Sequence, residues 1–171
     1  MPADAGAAVR PERTIRRAES AQEFGLARDL FVEYGASLDV DLAFQGFAAE
    51  VAGLPGAYIA PRGILLLASV AGNAAGCIAL RPLILAHEHR DDLGEIKRLY
   101  VRPAARGHAV GAALVAAVVD EARRIGYREL RLDTLATMNT AQAVYRQFGF
   151  RPCAPYYSNP LAGVAYLSLA I

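Results

Sequence analysis

Hydrophobic and polar positions change period several times along the chain, and each change marks an element. Thr14 to Ala18 reads as a short strand. Ser20 follows as a helix N-cap with Glu23 three residues on as its capping-box partner, and Leu26, Leu30, Phe31 and Tyr34 give that helix an apolar face. A shorter helix is predicted from Phe44 to Gly53, ended by Leu54-Pro55-Gly56. Two apolar runs, Ile64 to Val70 and Ala75 to Leu80, flank Ala71-Gly72-Asn73-Ala74 and predict a hairpin. After a polar turn over Arg90 to Gly94, Glu95 to Val101 alternates. That alternation places Ile96, Arg98 and Tyr100 on one face and Glu95, Lys97, Leu99 and Val101 on the other, until Pro103 stops the strand.

A helix from about Gly107 carries Leu114, Val118, Ala122 and Ile125 on one stripe and ends at Gly126. Strand Glu129 to Leu135 follows. Ala141, Val144, Tyr145 and Phe148 then repeat at helical spacing, Gly149 closes that helix, and a Pro-rich loop leads to a last strand, Val164 to Leu169. The order β-α-α-β-β-β-α-β-α-β is neither a repeat nor a regular βαβ series. It predicts an α/β fold with a mixed sheet and helices on both faces.

The chain has 171 residues, enough for one domain with its own core. The Ala/Pro/Gly-rich first 12 residues lack periodicity and read as a disordered tail, leaving 13–171 as the folded domain. A net charge of +1 and the absence of any basic run argue against a nucleic-acid partner. The longest apolar run, Ala109 to Val119, has 11 residues, short of the roughly 20 that span a bilayer, so no membrane partner is expected. Arg10, Arg13, Arg16 and Arg17 are followed by no apolar segment, which argues against a secretory signal and for a cytoplasmic location. Two cysteines, Cys77 and Cys153, read as buried free thiols. His87-Glu88-His89 lacks a third ligand cluster, so no metal is expected.

The candidate chemistry centres on Tyr100 to Leu114, which reads as a strand end, a small-residue turn and the first turn of a helix. Unpaired N–H groups and the helix dipole make such a turn an anion site, and Gly107 and Gly111 allow backbone to approach a phosphate closely. Arg102 and Arg106 add cations beside it. Gly-Lys-Ser/Thr is missing, so this is not a Walker loop, and the three-glycine dinucleotide order is missing too.

Arg106-Gly107-His108-Ala109-Val110-Gly111 resembles the Arg/Gln-Gly-x-Gly-x-Gly/Ala acyl-CoA loop of the GNAT N-acetyltransferase superfamily. Ala109 stands at the middle glycine, a change that is mild at helical dihedrals and costly at positive φ. Downstream, Met138 to Phe150 resembles that superfamily's Asn-x-x-Ala-x-x-x-Tyr-x-x-x-Gly-Phe motif. It aligns on Ala141, Tyr145, Gly149 and Phe150, with Met138 at the asparagine position and Asn139 one residue later.

The resemblance implies an acyl-CoA N-acyltransferase-like fold around a mostly antiparallel twisted sheet. It implies acetyl-CoA as co-substrate, no metal, and direct acetyl transfer to a primary amine of a small molecule or peptide. Arg106, Gly107, His108, Ala109, Val110, Gly111 and Ala112 would hold the pyrophosphate; Leu99, Tyr100, Val101, Asn139 and Tyr145 would meet the pantetheine and acyl end. Tyr145 is the matched proton donor to the departing sulfur. Glu95, at the start of the strand that reaches the acyl group, is the candidate general base, directly or through water. Tyr156, Tyr157 and Glu33 are candidates for the acceptor site. A non-catalytic acyl-CoA-binding or regulatory module of the same fold is the alternative; a nucleotide-binding module using the same loop is a third. A homodimer is the oligomer to expect.

Overall fold

A computed structural model describes residues 12–171, so the tail expected over 1–12 lies, Glu12 aside, outside the described residues. The first strand sits one residue earlier than expected, as β1 (Arg13–Arg17). Ser20 then caps α1 (Ala21–Ala36). Its hydroxyl accepts from the Glu23 amide while the Glu23 carboxylate accepts from the Ser20 amide, so donors left over at the helix start are satisfied reciprocally. The second predicted helix is broken in two. A 3-10 turn covers Ala43–Gln45, Gly46 takes a left-handed φ of +69°, and α2 spans Phe47–Ala52.

The predicted hairpin forms from β2 (Ile64–Val70) and β3 (Asn73–Pro82), with a tighter turn than its sequence suggested. Ala71 and Gly72 both have positive φ, +49° and +78°, the two-residue turn whose twist suits antiparallel strands, so Asn73 and Ala74 belong to the ladder. The remaining elements are β4 (Leu93–Val101), α3 (Val110–Ile125), β5 (Glu129–Leu135), α4 (Asn139–Gln147), β6 (Arg151–Pro152) and β7 (Val164–Ala170). Helix α3 begins at Val110 and not at Gly107, because Gly107 and Ala109 take left-handed φ of +84° and +54° and cannot lie within a right-handed turn. The short strand β6 was not anticipated.

The strands form one sheet in the order β1-β2-β3-β4-β5-β7-β6. Every neighbouring pair is antiparallel except β4 and β5, which run parallel. Helices cover both faces. Leu65, Leu67, Cys77 and Ala79 turn toward Leu30 and Phe31 of α1, while Leu66, Ile78 and Leu80 turn toward Leu114, Val118 and Ala122 of α3. This alternation, broken once at Ala75 where the β2–β3 register shifts, explains why β2 and β3 read as continuous apolar runs: both of their faces are buried.

Strand β4 departs from alternation at one residue. Cys77 pairs with Tyr100 but Ala79 pairs with Lys97, so two residues, Arg98 and Leu99, occupy the span opposite Ile78. Arg98 has φ +58°, the mark of a β-bulge that bends the strand and raises its twist. The bulge corrects the face assignment made from sequence. Ile96, Leu99 and Val101 share the core beneath α3 and α4, whereas Tyr100 joins the core beneath α1. It also ends the parallel pairing: β4 and β5 meet only over Leu93–Glu95 and Glu129–Arg131, then part.

Arg98 is anchored on the α2 side. Its side chain is 2% exposed; Nε and Nη2 donate to the Glu50 carboxylate at 2.9 and 2.7 Å, Nη1 donates to Gln45 Oε1 at 3.0 Å, and the guanidinium lies 4.9 Å from the centre of the Phe47 ring. Removing one member of a buried pair leaves the other charge uncompensated. Arg98→Ala is therefore expected to lower unfolding free energy by about 3–5 kcal/mol in urea titration, and combining Arg98→Met with Glu50→Leu to recover most of that loss.

Candidate active site

The parting of β4 and β5 opens a window through the sheet, and three adjoining cavities meet around it. The largest, about 700 Å³, lies where α3 and α4 begin. No side chain caps either helix. The first internal bond of α3 runs from the Ala113 amide to the Ala109 carbonyl at 3.1 Å, and that of α4 from Gln142 to Met138 at 3.0 Å. The Asn139 amide donates to the Thr137 carbonyl at 3.0 Å, and the leading amides of α3 with those of Thr140 and Ala141 in α4 are left to a ligand, so two positive dipole ends converge on one cleft. Leu99, Tyr100, Val101, Arg106, Gly107, Ala109, Val110, Gly111, Ala112 and Asn139 line it, so ten of the expected donor-site residues come together.

His108 is exposed and is not among the lining residues; its carbonyl and that of Ala109 accept from Arg13 Nη1 at 2.9 and 3.2 Å, which pins the loop to β1. Arg102 is already committed to Glu33, donating through Nε and Nη2 at 2.9 and 2.6 Å. That hydrogen bond, against the opposing effect of burial, holds the Glu33 carboxyl below its usual range. Glu33 lines none of the three cavities. Arg106 is the cation in the cleft wall.

The second cavity, about 40 Å³, lies in the window itself and shares Leu99 and Met138 with the cleft. Tyr145 reaches it from α4, packed against Phe150 with ring centres 5.5 Å apart. Burial, then the nearby Tyr34 and Asp133, push its phenol far above the ordinary value, so Tyr145 carries its proton across the physiological range. Asp133 reaches the same cavity from β5. Its Oδ1 accepts from Lys97 Nζ at 2.9 Å and its Oδ2 from the Tyr157 hydroxyl at 2.7 Å. Burial alone would raise the Asp133 carboxyl; Lys97 and Tyr157 overcome it and hold the group ionised.

The third cavity, about 270 Å³, opens on the opposite side of the window and shares Gln45, Lys97 and Arg98 with the second. Glu95 lies in its wall at 3% exposure, accepting from Arg81 Nε at 2.9 Å and from the Tyr156 hydroxyl at 3.0 Å, with Lys97 Nζ 3.6 Å away. Tyr156 and Tyr157 complete that wall. Burial and Glu95 push the Tyr156 phenol up, so it stays a donor to Glu95. Lys97, Asp133, Gln45 and Arg98 escaped the sequence reading as site residues. Lys97, the chain's single lysine, gave the one compositional hint, and the others follow from the bulge and from the α2 segment folding over it.

The arrangement supplies a cleft suited to an anion, a narrow cavity lined by the Tyr145 phenol and the Asp133 carboxylate, and an adjoining polar chamber with the Glu95 carboxylate in its wall. The family model for GNAT acetyltransferases matches residues 26–150. An uncharacterized N-acetyltransferase of Schizosaccharomyces pombe is 38% identical over 141 residues, 82% of this chain and 83% of that one. Among solved structures, an acetyltransferase from Streptococcus agalactiae superposes with TM-score 0.73 at 20% identity, covering 93% of this chain and 98% of the other. YncA of Salmonella typhimurium, solved with its cofactor acetyl-CoA, gives TM-score 0.67 at 18% identity over 92% and 93% of the two chains. The chain belongs to the GNAT acetyltransferase family.

Ala109 departs from that family's glycine-rich loop at the position where glycine is most useful, since its φ is +54°. A left-handed alanine costs about 1–2 kcal/mol, of which glycine's greater unfolded-state freedom would cancel roughly 0.5–1 kcal/mol. Ala109→Gly is therefore expected to raise stability by about 0.5 kcal/mol, a shift in Tm of roughly 1–2 °C by calorimetry.

Proposed function

We propose that this protein transfers the acetyl group of acetyl-CoA directly to a primary amine of a small molecule or peptide. The reading rests on one observation above others: the cleft at the two helix N-termini, the small cavity that Tyr145 lines and the chamber that holds Glu95 adjoin in that order, each sharing wall residues with the next. The amides of Val110, Gly111 and Ala112, with Arg106, suit the pyrophosphate of CoA. Backbone groups of β4 near Leu99 and Val101 offer contacts to the pantetheine and the thioester carbonyl.

In the transfer the amine nitrogen's lone pair forms a bond to the acyl carbon, the carbon–sulfur bond breaks, and its electron pair leaves on sulfur. Tyr145 supplies the proton that sulfur takes. Glu95, directly or through water, receives the proton that the amine loses. Arg81 and Tyr156 fix the orientation of that carboxylate, which favours relay through water. The charged walls of the chamber suit a polar acceptor.

Isothermal titration with acetyl-CoA, CoA and ATP tests the donor, and thiol release with a panel of amines tests turnover. Binding of acetyl-CoA with thiol release is the expected result. Binding without turnover would support a non-catalytic acyl-CoA module, and binding of ATP alone would overturn both. Tyr145→Phe should lower kcat by roughly a hundredfold while acetyl-CoA affinity stays within a few-fold; an unchanged rate would leave Tyr145 a packing residue. Glu95→Gln should depress transfer most on the acid side of the pH–rate profile, where the acceptor is protonated and needs a base. A uniform loss at every pH would contradict that role.

A further inference from the structure

Among the described residues, one buried side-chain polar atom has no hydrogen-bond partner: Thr134 Oγ1. The residue is 5% exposed. Several other hydroxyls in the fold are partnered: Thr14 with Ser69, Tyr58 with Glu50, Tyr127 with the Arg62 carbonyl, Tyr156 with Glu95 and Tyr157 with Asp133. An unmade hydrogen bond on a buried group costs about 1–3 kcal/mol, so an orphan of this kind calls for a reason.

Its position supplies one. Thr134 shares a face of β5 with Leu130 and Leu132, the face that α4 covers, and lies three residues beyond the last pairing of β5 with β4 at Arg131. It lines the 40 Å³ window cavity together with Tyr145 and Leu99. Thr134 and Tyr145 are therefore both wall residues of the same narrow space, where the proposed reaction needs donors for a departing sulfur.

We infer that Thr134 is a second hydrogen-bond donor to the sulfur of the acyl donor, acting beside Tyr145. This rests on the acetyl-CoA reading above. When the carbon–sulfur bond breaks and its electron pair moves to sulfur, Tyr145 delivers the proton and Thr134 donates a hydrogen bond that strengthens as negative charge grows there. Glu95 or water takes the proton released by nitrogen, so charge balances. The free protein bears the cost of the orphan hydroxyl, and the ligand relieves it.

Thr134→Val keeps the shape and removes the donor. For a structural hydroxyl this variant would melt lower than wild type; for the inferred role the free protein melts at the same temperature or higher. With an acceptor identified from the amine panel, kcat should fall about tenfold with KM for acetyl-CoA within about twofold, and Thr134→Ser should retain most of the rate. A second readout needs no turnover. In ultraviolet titration of the CoA complex, the bound thiol should ionise about one pH unit lower in wild type than in Thr134→Val, the same tenfold expressed as a pKa. Unchanged kcat and thiol ionisation in the variant would overturn the inference while leaving the acetyl-CoA reading intact. A lower melting temperature with a proportionate loss of activity would assign the hydroxyl to structure and overturn it too. Failure of wild type to bind CoA or acetyl-CoA would overturn the reading on which it rests, and this inference with it.

Discussion

The bulge at Arg98 is the constraint from which the site follows. One extra residue in β4, held at φ +58°, turns Leu99 and Val101 toward the α3 side and carries the strand away from β5. A non-glycine residue in that conformation costs about 1–3 kcal/mol and persists when its surroundings over-determine it. Here they do. Two charge-assisted bonds to Glu50, a third bond to Gln45 and the face of Phe47 fix the guanidinium in a buried niche. The same contacts tie the segment from Ala43 to Ala52 beside the chamber that holds Glu95, so the strain in β4 and that wall of the chamber depend on one another.

Charge is distributed differently on the two sides of the window. On the donor side, arginines are largely spent on structure: Arg102 on Glu33, Arg13 on the loop carbonyls of His108 and Ala109. Attraction for an anion then falls to the uncapped amides of α3 and α4, with Arg106 as the cation in the cleft wall. On the acceptor side the carboxylates of Glu95 and Asp133 are each held by a cation and a tyrosine hydroxyl. Lys97 stands between them, 2.9 Å from Asp133 and 3.6 Å from Glu95, and joins the two strands where their backbones no longer pair. The cleft side thus presents backbone amides and the Glu95 side balanced side-chain charge, and Lys97 and Tyr157 keep Asp133 ionised in a poorly solvated place.

Much of this was legible locally. Ser20 and Glu23 announce the start of α1 because a capping box needs only residues three apart, and Glu129 to Leu135 reads as a strand because alternation is local. Gly107, Gly111, Tyr145 and Gly149 locate the two helices that face the donor cleft for the same reason. The faces of β4 were assigned wrongly from Arg98 onward, since alternation assumes that no residue is inserted; the bulge depends on the register with β3 and on Glu50, 48 residues away. For Ala109 the sequence left two outcomes, mild at helical dihedrals and costly at positive φ, and its left-handed backbone makes it the costly one. Thr134 carried no signal at all, because an orphaned hydroxyl exists only once neighbours are known.

By itself, then, the chain determined most of its elements, its mixed sheet with helices on both faces, and the loop and motif that mark its family, because propensity, periodicity and capping act over a few residues. Tertiary structure decided where β4 and β5 separate and which carboxylates meet Lys97. It also decided that Glu33 serves Arg102, and that Tyr145 and Thr134 border one cavity. These are long-range outcomes, fixed by buried charge pairs and by strand register, and no spacing within the sequence encodes a partner dozens of residues away.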